Sequence, residues 1–356
     1  MIKSLSPYYV STPLVSPLTA ETCSQYTLQL YVWNGLKASV PAEPTYEVTI
    51  LNQDVSTGSS KVNISKLIND FIDFTTNSGS GTSAIDGNNQ QWVQHDAIYV
   101  TVDPTDDDVQ QNITTTLMLS GYNYGDEGEN AQPPADKVLI TGDEFKISRV
   151  GFFNIPILID EDTASQEVTV KSYPNLEQNY ILALPNTNNS NELLQSIWID
   201  GSESTTDTYI EVVYNGVTKT LYLTDECRYT PMDIVFQNKE GAMEIMTFFK
   251  AQKSSMTVTD ETFESDRGQP STGAHQFVRY NVNSKSKFTI NSGFVDEGLN
   301  DTFKQLFLSE RVWSYDGTFT PLNISNKQLE YKTRANDRLI NYEVEFSYAY
   351  NEINNV

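Results

Sequence analysis

The stretch Met232 to Lys250, MDIVFQNKEGAMEIMTFFK, constrains the fold of this chain more than any other. Ile234 and Phe236 alternate with Val235 and Gln237, Asn238 to Gly241 supplies a Gly-closed turn, and Ala242 to Phe249 returns with almost no polar relief. A return strand this apolar needs cover on both faces. It is therefore expected at the centre of a sheet or at a subunit interface, with its charged tip, Asn238 to Gly241, meeting solvent or a neighbour. Phe236, Ile245, Phe248 and Phe249 are the residues of this hairpin expected to carry the core or an assembly contact.

A length of 356 residues accommodates two or three domains, each able to bury its own core. Only 38% of the residues are hydrophobic, but 20 Tyr, 16 Phe and 4 Trp supply large buried areas, so the composition reads as folded and β-rich rather than disordered. The net charge of -24 is spread along the chain. It repels phosphate backbones and anionic lipid, which argues against nucleic acid as a partner and against docking on a membrane surface. No run approaches the roughly 18 apolar residues of a membrane helix and no signal-peptide core stands at the start, so the expected product is a soluble polypeptide made in the cytoplasm, without membrane insertion. Cys23 and Cys227 have no neighbouring Cys or His and are expected as buried free thiols.

In chain order, Ser6 to Ala42 begins as an extended arm with Pro7, Pro13 and Pro17, expected to lie along its own domain or to reach a neighbouring subunit. Strands follow at Gln25 to Trp33, Tyr46 to Leu51, Trp92 to Asp103 and Ile113 to Tyr124. Leu67, Ile68, Phe71 and Ile72 fall at helical spacing behind a candidate cap, Ser65. Residues 1–130 are read as a β-sandwich with this arm and one short helix. Gly125 to Asp136, GDEGENAQPPAD, has the composition of a linker. A second β-sandwich is expected over 131–225, where YIEVVYNGVTKTLYL is a hairpin turning at Asn215-Gly216 in a type I′ turn.

Residues 226–356 are read as an assembly domain: the opening hairpin, short strands at Met256 to Val258, Gln276 to Val282 and Lys287 to Asn291, then a helix within Gly298 to Val312. The helix has an apolar stripe of Leu299, Phe303, Leu306 and Phe307. Phe303 and Leu306 join the expected core or assembly contacts. Strands at Gln328 to Thr333 and Ile340 to Tyr350 close the unit. The fold class is thus mainly β, with tandem β-sandwich domains followed by a β-sheet domain with one packed α-helix.

Catalytic patterns do not emerge. His95 and His275 are the only histidines, and neither has a Cys, Asp or His at metal or triad spacing. There is no GxSxG elbow, phosphate loop or dinucleotide fingerprint, so neither an enzyme nor a cofactor is expected. The acidic loops Asp103 to Asp108 and Asp126 to Glu129 carry hard oxygen ligands without EF-hand spacing; they are expected as solvated turns, and the sequence leaves Ca²⁺ open. Tyr8, Tyr9, Tyr122, Tyr124, Trp313 and Tyr315 are candidates for exposed aromatics that stack on sugar rings or anchor a partner.

Over roughly residues 225 to 355, CRYTPMDIVFQNKEGAMEIMTFFK, FTINSGFVDEGLNDTFKQLFLSERVW and LEYKTRANDRLINYEVEFSYAYNEINN together resemble structural proteins of the tail or baseplate of tailed bacteriophages that infect Bacteroidota. The resemblance implies a virion protein of the tail tip or baseplate that acts by symmetric homo-oligomeric assembly beside other tail proteins. The alternative is a receptor-binding β-sandwich protein of the same particle that binds a host surface glycan.

Overall fold

The computed structural model describes residues 2–11, 23–35, 37–51, 61–72, 76, 78–85, 91–101, 109–110, 114–134, 136–159, 167–174, 176–181, 194–204, 206–226, 228–265, 272–273, 275–326, 328 and 339–352. Their architecture is mainly β, in sheets of six, four, five and seven strands with two small strand pairs. The strands expected at Gln328 to Thr333, the acidic loop Asp103 to Asp108 and Cys227 lie wholly or almost wholly outside these residues.

The six-stranded sheet runs Ile2–Lys3, Thr114–Leu119, Gln91–Thr101, Cys23–Asn34, Tyr46–Leu51, with Val109–Gln110 paired to Gln91–Thr101. Ahead of the arm, Ile2 pairs in parallel with Met118 of this sheet; the arm itself lies along its own chain, where Tyr9–Ser11 forms a separate two-stranded pair with Lys61–Asn63. Leu28, Leu30, Val93 and Met118 bury one face of this sheet against Ile64, Ile68 and Ile72. The helix here is only Ser65–Asn69. Ser65 is its first residue rather than its cap: Ile64 holds the cap position without a side-chain cap bond, and the Ser65 hydroxyl donates back to Asn63 Oδ1 at 2.7 Å.

The five-stranded sheet is ordered Glu144–Ser148, Val217–Thr224, Tyr209–Tyr214, Glu167–Tyr173, Leu176–Ile181. Its hairpin turns where expected, with positive φ at both Asn215 (44°) and Gly216 (76°). The four-stranded sheet, Lys137–Val138, Phe152–Leu158, Leu194–Asp200, Ser83–Ile85, takes its last strand from before residue 130. Gly125 to Asp136, read as a linker, is bonded to the body of the protein at its middle and at its end. Asn130 Oδ1 accepts from the Tyr9 amide, and Asp136 Oδ1 accepts from the Tyr214 hydroxyl at 2.6 Å.

The seven-stranded antiparallel sheet is ordered Met243–Phe248, Met232–Gln237, Val312–Tyr315, Phe319–Ile324, Glu343–Tyr348, Phe277–Asn291, Lys253–Glu264. A 3₁₀ turn, Glu297–Leu299, leads into the helix Asn300–Leu308, which packs Phe303 against Phe248 and Tyr342. One hydrophobic cluster runs without a break from Ile140 and Phe153 through Trp198 and Leu221 to Phe236 and Phe346, so position 225 does not divide the core.

Met243–Phe248 differs from the expected central strand. It is the last strand of its sheet, yet all of its residues are buried. The four-stranded sheet provides the cover: Asn154, fully buried on Phe152–Leu158, donates from Nδ2 to Met243 O at 2.7 Å and so occupies a carbonyl on this strand.

Candidate functional site

The hairpin tip is the polar hub of the molecule. Expected to meet solvent or a neighbour, Asn238 and Glu240 are instead buried within the chain itself. Asn238 Oδ1 accepts from the amides of Glu240 and Ala242, both at 3.0 Å, while its Nδ2 donates to Leu139 O and to Glu244 Oε2. Gly241 has φ +83°, and an added Cβ would stand 2.9 Å from Leu119 Cβ. From the first sheet, the Tyr122 amide donates to Lys239 O at 2.8 Å, and Ser120 O accepts from Gln237 Nε2 at 3.0 Å. From the helix, Gln305 Oε1 accepts from the Lys239 amide. The fully buried Lys3 ion-pairs with Glu240 at 2.7 Å, with Glu127 farther off at 3.9 Å. A turn with this charge can be buried because the amino-terminal strand brings a cation to it.

Two carboxyls along the same hairpin are perturbed. Burial pushes Glu244 up to about 7, with the Asn238 amide opposing part of the shift. Burial likewise pushes Asp233 up to about 6, against the Thr247 hydroxyl at 2.6 Å and the Phe152 amide at 3.0 Å. Each acid is buried and accepts from groups of its own fold, Asp233 from Thr247 and Phe152 and Glu244 from Asn238, so both read as structural.

All six residues singled out from the sequence lie inside the single chain. Phe236, Ile245, Phe248, Phe303 and Leu306 belong to the large cluster, and Phe249 is buried as well. The structure brings Phe248 against Phe303 and Phe346 edge to face, at 6.2 and 6.3 Å. The aromatic candidates fare differently. Tyr315 is buried on the strand Val312–Tyr315, packed by Phe152, Trp198 and Phe319, and Tyr8, Tyr9, Tyr122 and Trp313 are half-buried. Burial pushes the His95 imidazole down, and His275 is exposed. Among the described residues no group of three His, Cys, Asp or Glu is placed to hold a metal ion. Glu129 of the second acidic loop is committed to Lys61 at 3.0 Å.

A surface that the sequence reading missed is a two-stranded ribbon, Lys253–Glu264 against Phe277–Asn291. The two strands expected at Gln276 to Val282 and Lys287 to Asn291 are one continuous strand, of which only Lys287–Asn291 also pairs with Glu343–Tyr348. The rest of the ribbon extends past the sheet. Met256, Val258, Phe263, Phe277 and Tyr280 are all exposed on it, Phe277 at 63%. Phe288 and Ile290 anchor its root in the core, but beyond them Ser, Thr, Asn and Lys fill most of the remaining positions, so the far part of the ribbon has no apolar core face and no alternation to reveal it. The one available signal was the β-branched and aromatic density of Thr257 to Phe263.

A cleft of about 230 Å³ opens beside the five-stranded sheet. Val170 and Ile210 contribute apolar surface, and Gln178, Glu203, Thr206 and Asp207 contribute polar groups. Glu203 also accepts from the Thr82 amide at 2.8 Å, which fixes one wall.

Compared with known proteins, the chain matches no family model and no curated protein.

Proposed function

We propose that this chain is a structural subunit that works by assembly, not by catalysis, and that its setting is the tail tip or baseplate of a tailed bacteriophage. The observation that carries the reading is the ribbon. Its exposed apolar side chains stand outside the core, where a monomer gains nothing from them, and an isolated two-stranded hairpin is marginal in water without further burial. The resemblance of residues 225 to 355 supplies the virion setting and other tail proteins as neighbours.

Antibody raised against the full chain and imaged on intact particles tests this reading. Regular labelling at one end of the tail is the expected result. Particles that carry none of the chain would sink it.

The cleft favours a second reading, a host-glycan receptor protein of the same particle, because apolar surface next to amide, hydroxyl and carboxylate groups suits the alternating faces of a sugar. A glycan array probed with the full chain separates the two: selective binding that Gln178→Ala weakens supports the receptor reading, and a blank array removes it.

A further inference from the structure

Every residue of the ribbon strand Lys253–Glu264 is exposed, and the strand ends the seven-stranded sheet, with no further described strand on its outer edge. The ribbon's irregularity lies on the other strand. Between the pairs Thr259–Asn283 and Glu261–Tyr280, Asn281 and Val282 together face Asp260, and Asn281 takes φ +50°. Lys253–Glu264 is left as a regular open edge about 40 Å long.

Charge is polarised along this edge. Lys253 stands at the root, with Lys285 close by on the paired strand opposite Thr257; Lys287, opposite Ser255, is ion-paired with Glu345 at 3.3 Å. Asp260, Glu261 and Glu264 occupy the far part. Arg279 answers only Asp260 there, through two bonds of 2.8 and 2.9 Å. The chain as a whole carries -24, so most of its surface repels a second copy. A basic root and an acidic far end on one strand are complementary to themselves when two copies run antiparallel.

We propose that Lys253–Glu264 pairs antiparallel with the same strand of a second copy of this chain, joining the two seven-stranded sheets across a two-fold axis at Thr257. A two-fold axis normal to a continuous sheet keeps each residue on its own face, so a residue must meet one an even number of positions away. The register centred on Thr257 satisfies this. It sets Lys253 opposite Glu261 of the second copy and Met256 opposite Val258, each twice by symmetry. The exposed Met256 and Val258, at 61% and 42%, then cover each other. This proposal rests on the assembly reading and specifies its partner and contact.

Sedimentation equilibrium of the full chain tests it, with Lys253→Glu and Glu261→Lys made singly. Both side chains are exposed, so circular dichroism and thermal midpoint should match wild type. Wild type is expected to dimerise. Each single variant should weaken the dimer roughly tenfold, since two cross-strand attractions become repulsions. An equimolar mixture of the two variants should recover wild-type affinity as a heterodimer. In that pair the two introduced charges, of opposite sign, face each other, and the unaltered Glu261 of one chain meets the unaltered Lys253 of the other. Wild type that stays monomeric at the highest concentration reached overturns the pairing, whatever else covers the strand. Self-association that ignores both charge reversals also overturns it, while leaving assembly through another surface intact. Particle labelling, which tests the reading underneath, does not depend on these variants.

Discussion

At the residue scale, the buried acids are where stability should respond to pH. Glu244 has an ordinary value of 4.5 and is held at about 7 in the fold. A carboxyl raised on folding adds stability that is fully present below its unfolded value and lost as pH rises through its folded value. The wild-type chain should therefore lose stability between about pH 4.5 and 7 through this group. Glu244→Gln keeps an acceptor for Asn238 and never charges. Urea denaturation should find it more stable than wild type at pH 8 by on the order of 2–3 kcal/mol, with the gap closing at pH 4. A constant difference at both pH values would show that Glu244 is not the group responsible. Sequence could not mark this residue: Glu244 follows Met243 in an apolar run, and only its burial beneath Asn238 separates it from an acid that points to water.

At the element scale, the two hairpins of the last sheet divide the work. The hairpin Met232–Gln237 and Met243–Phe248 belongs to the core, while the far half of the ribbon lies outside it. Phe248→Ala should cost about 3–5 kcal/mol, as other large-to-small core changes do. Replacing Thr257 to Ser284 by a short turn should leave the thermal midpoint within a few degrees of wild type and abolish self-association. Calorimetry alongside sedimentation distinguishes these outcomes, and a ribbon deletion that unfolds the chain would overturn the division. The first hairpin was legible because its apolar positions left no wet face. Its burial at the tip was not, because NKEG has the composition of a solvent turn and the cation that compensates it, Lys3, is more than two hundred residues away in sequence.

At the scale of the whole molecule, the core is shared more widely than three consecutive units would allow. The strand Ser83–Ile85 completes a sheet built from residues beyond 130, and a small cluster joins Trp33, Trp92, Leu119, Leu139, Leu158 and Ala242 from all three stretches of chain. Residues 226–356 expressed alone would expose Ile234, Phe236 and Ile245 to water where residues 140–221 now cover them. Such a fragment should lack the sharp near-ultraviolet signal of packed aromatics and exchange its amides within minutes, whereas in the full chain Ile155, Ile197, Phe236 and Phe346 should exchange with similar free energies. A fragment with native-like protection would show that the last sheet folds on its own.

Taken alone, the sequence determined what local pattern can encode. The mainly β class, the Asn215-Gly216 turn, the Met232 to Phe248 hairpin and the packed helix with Phe303 and Leu306 all follow from short-range periodicity and turn chemistry. Tertiary structure decided what depends on partners distant in the chain. It placed Lys3 against Glu240, set Asn154 over the edge of Met243–Phe248, drew Tyr315 into the core and left Lys253–Glu264 open. The physical reason is that a strand's alternation reports that some face must be covered, whereas which surface covers it, and which edge stays bare, is fixed only when the sheets meet.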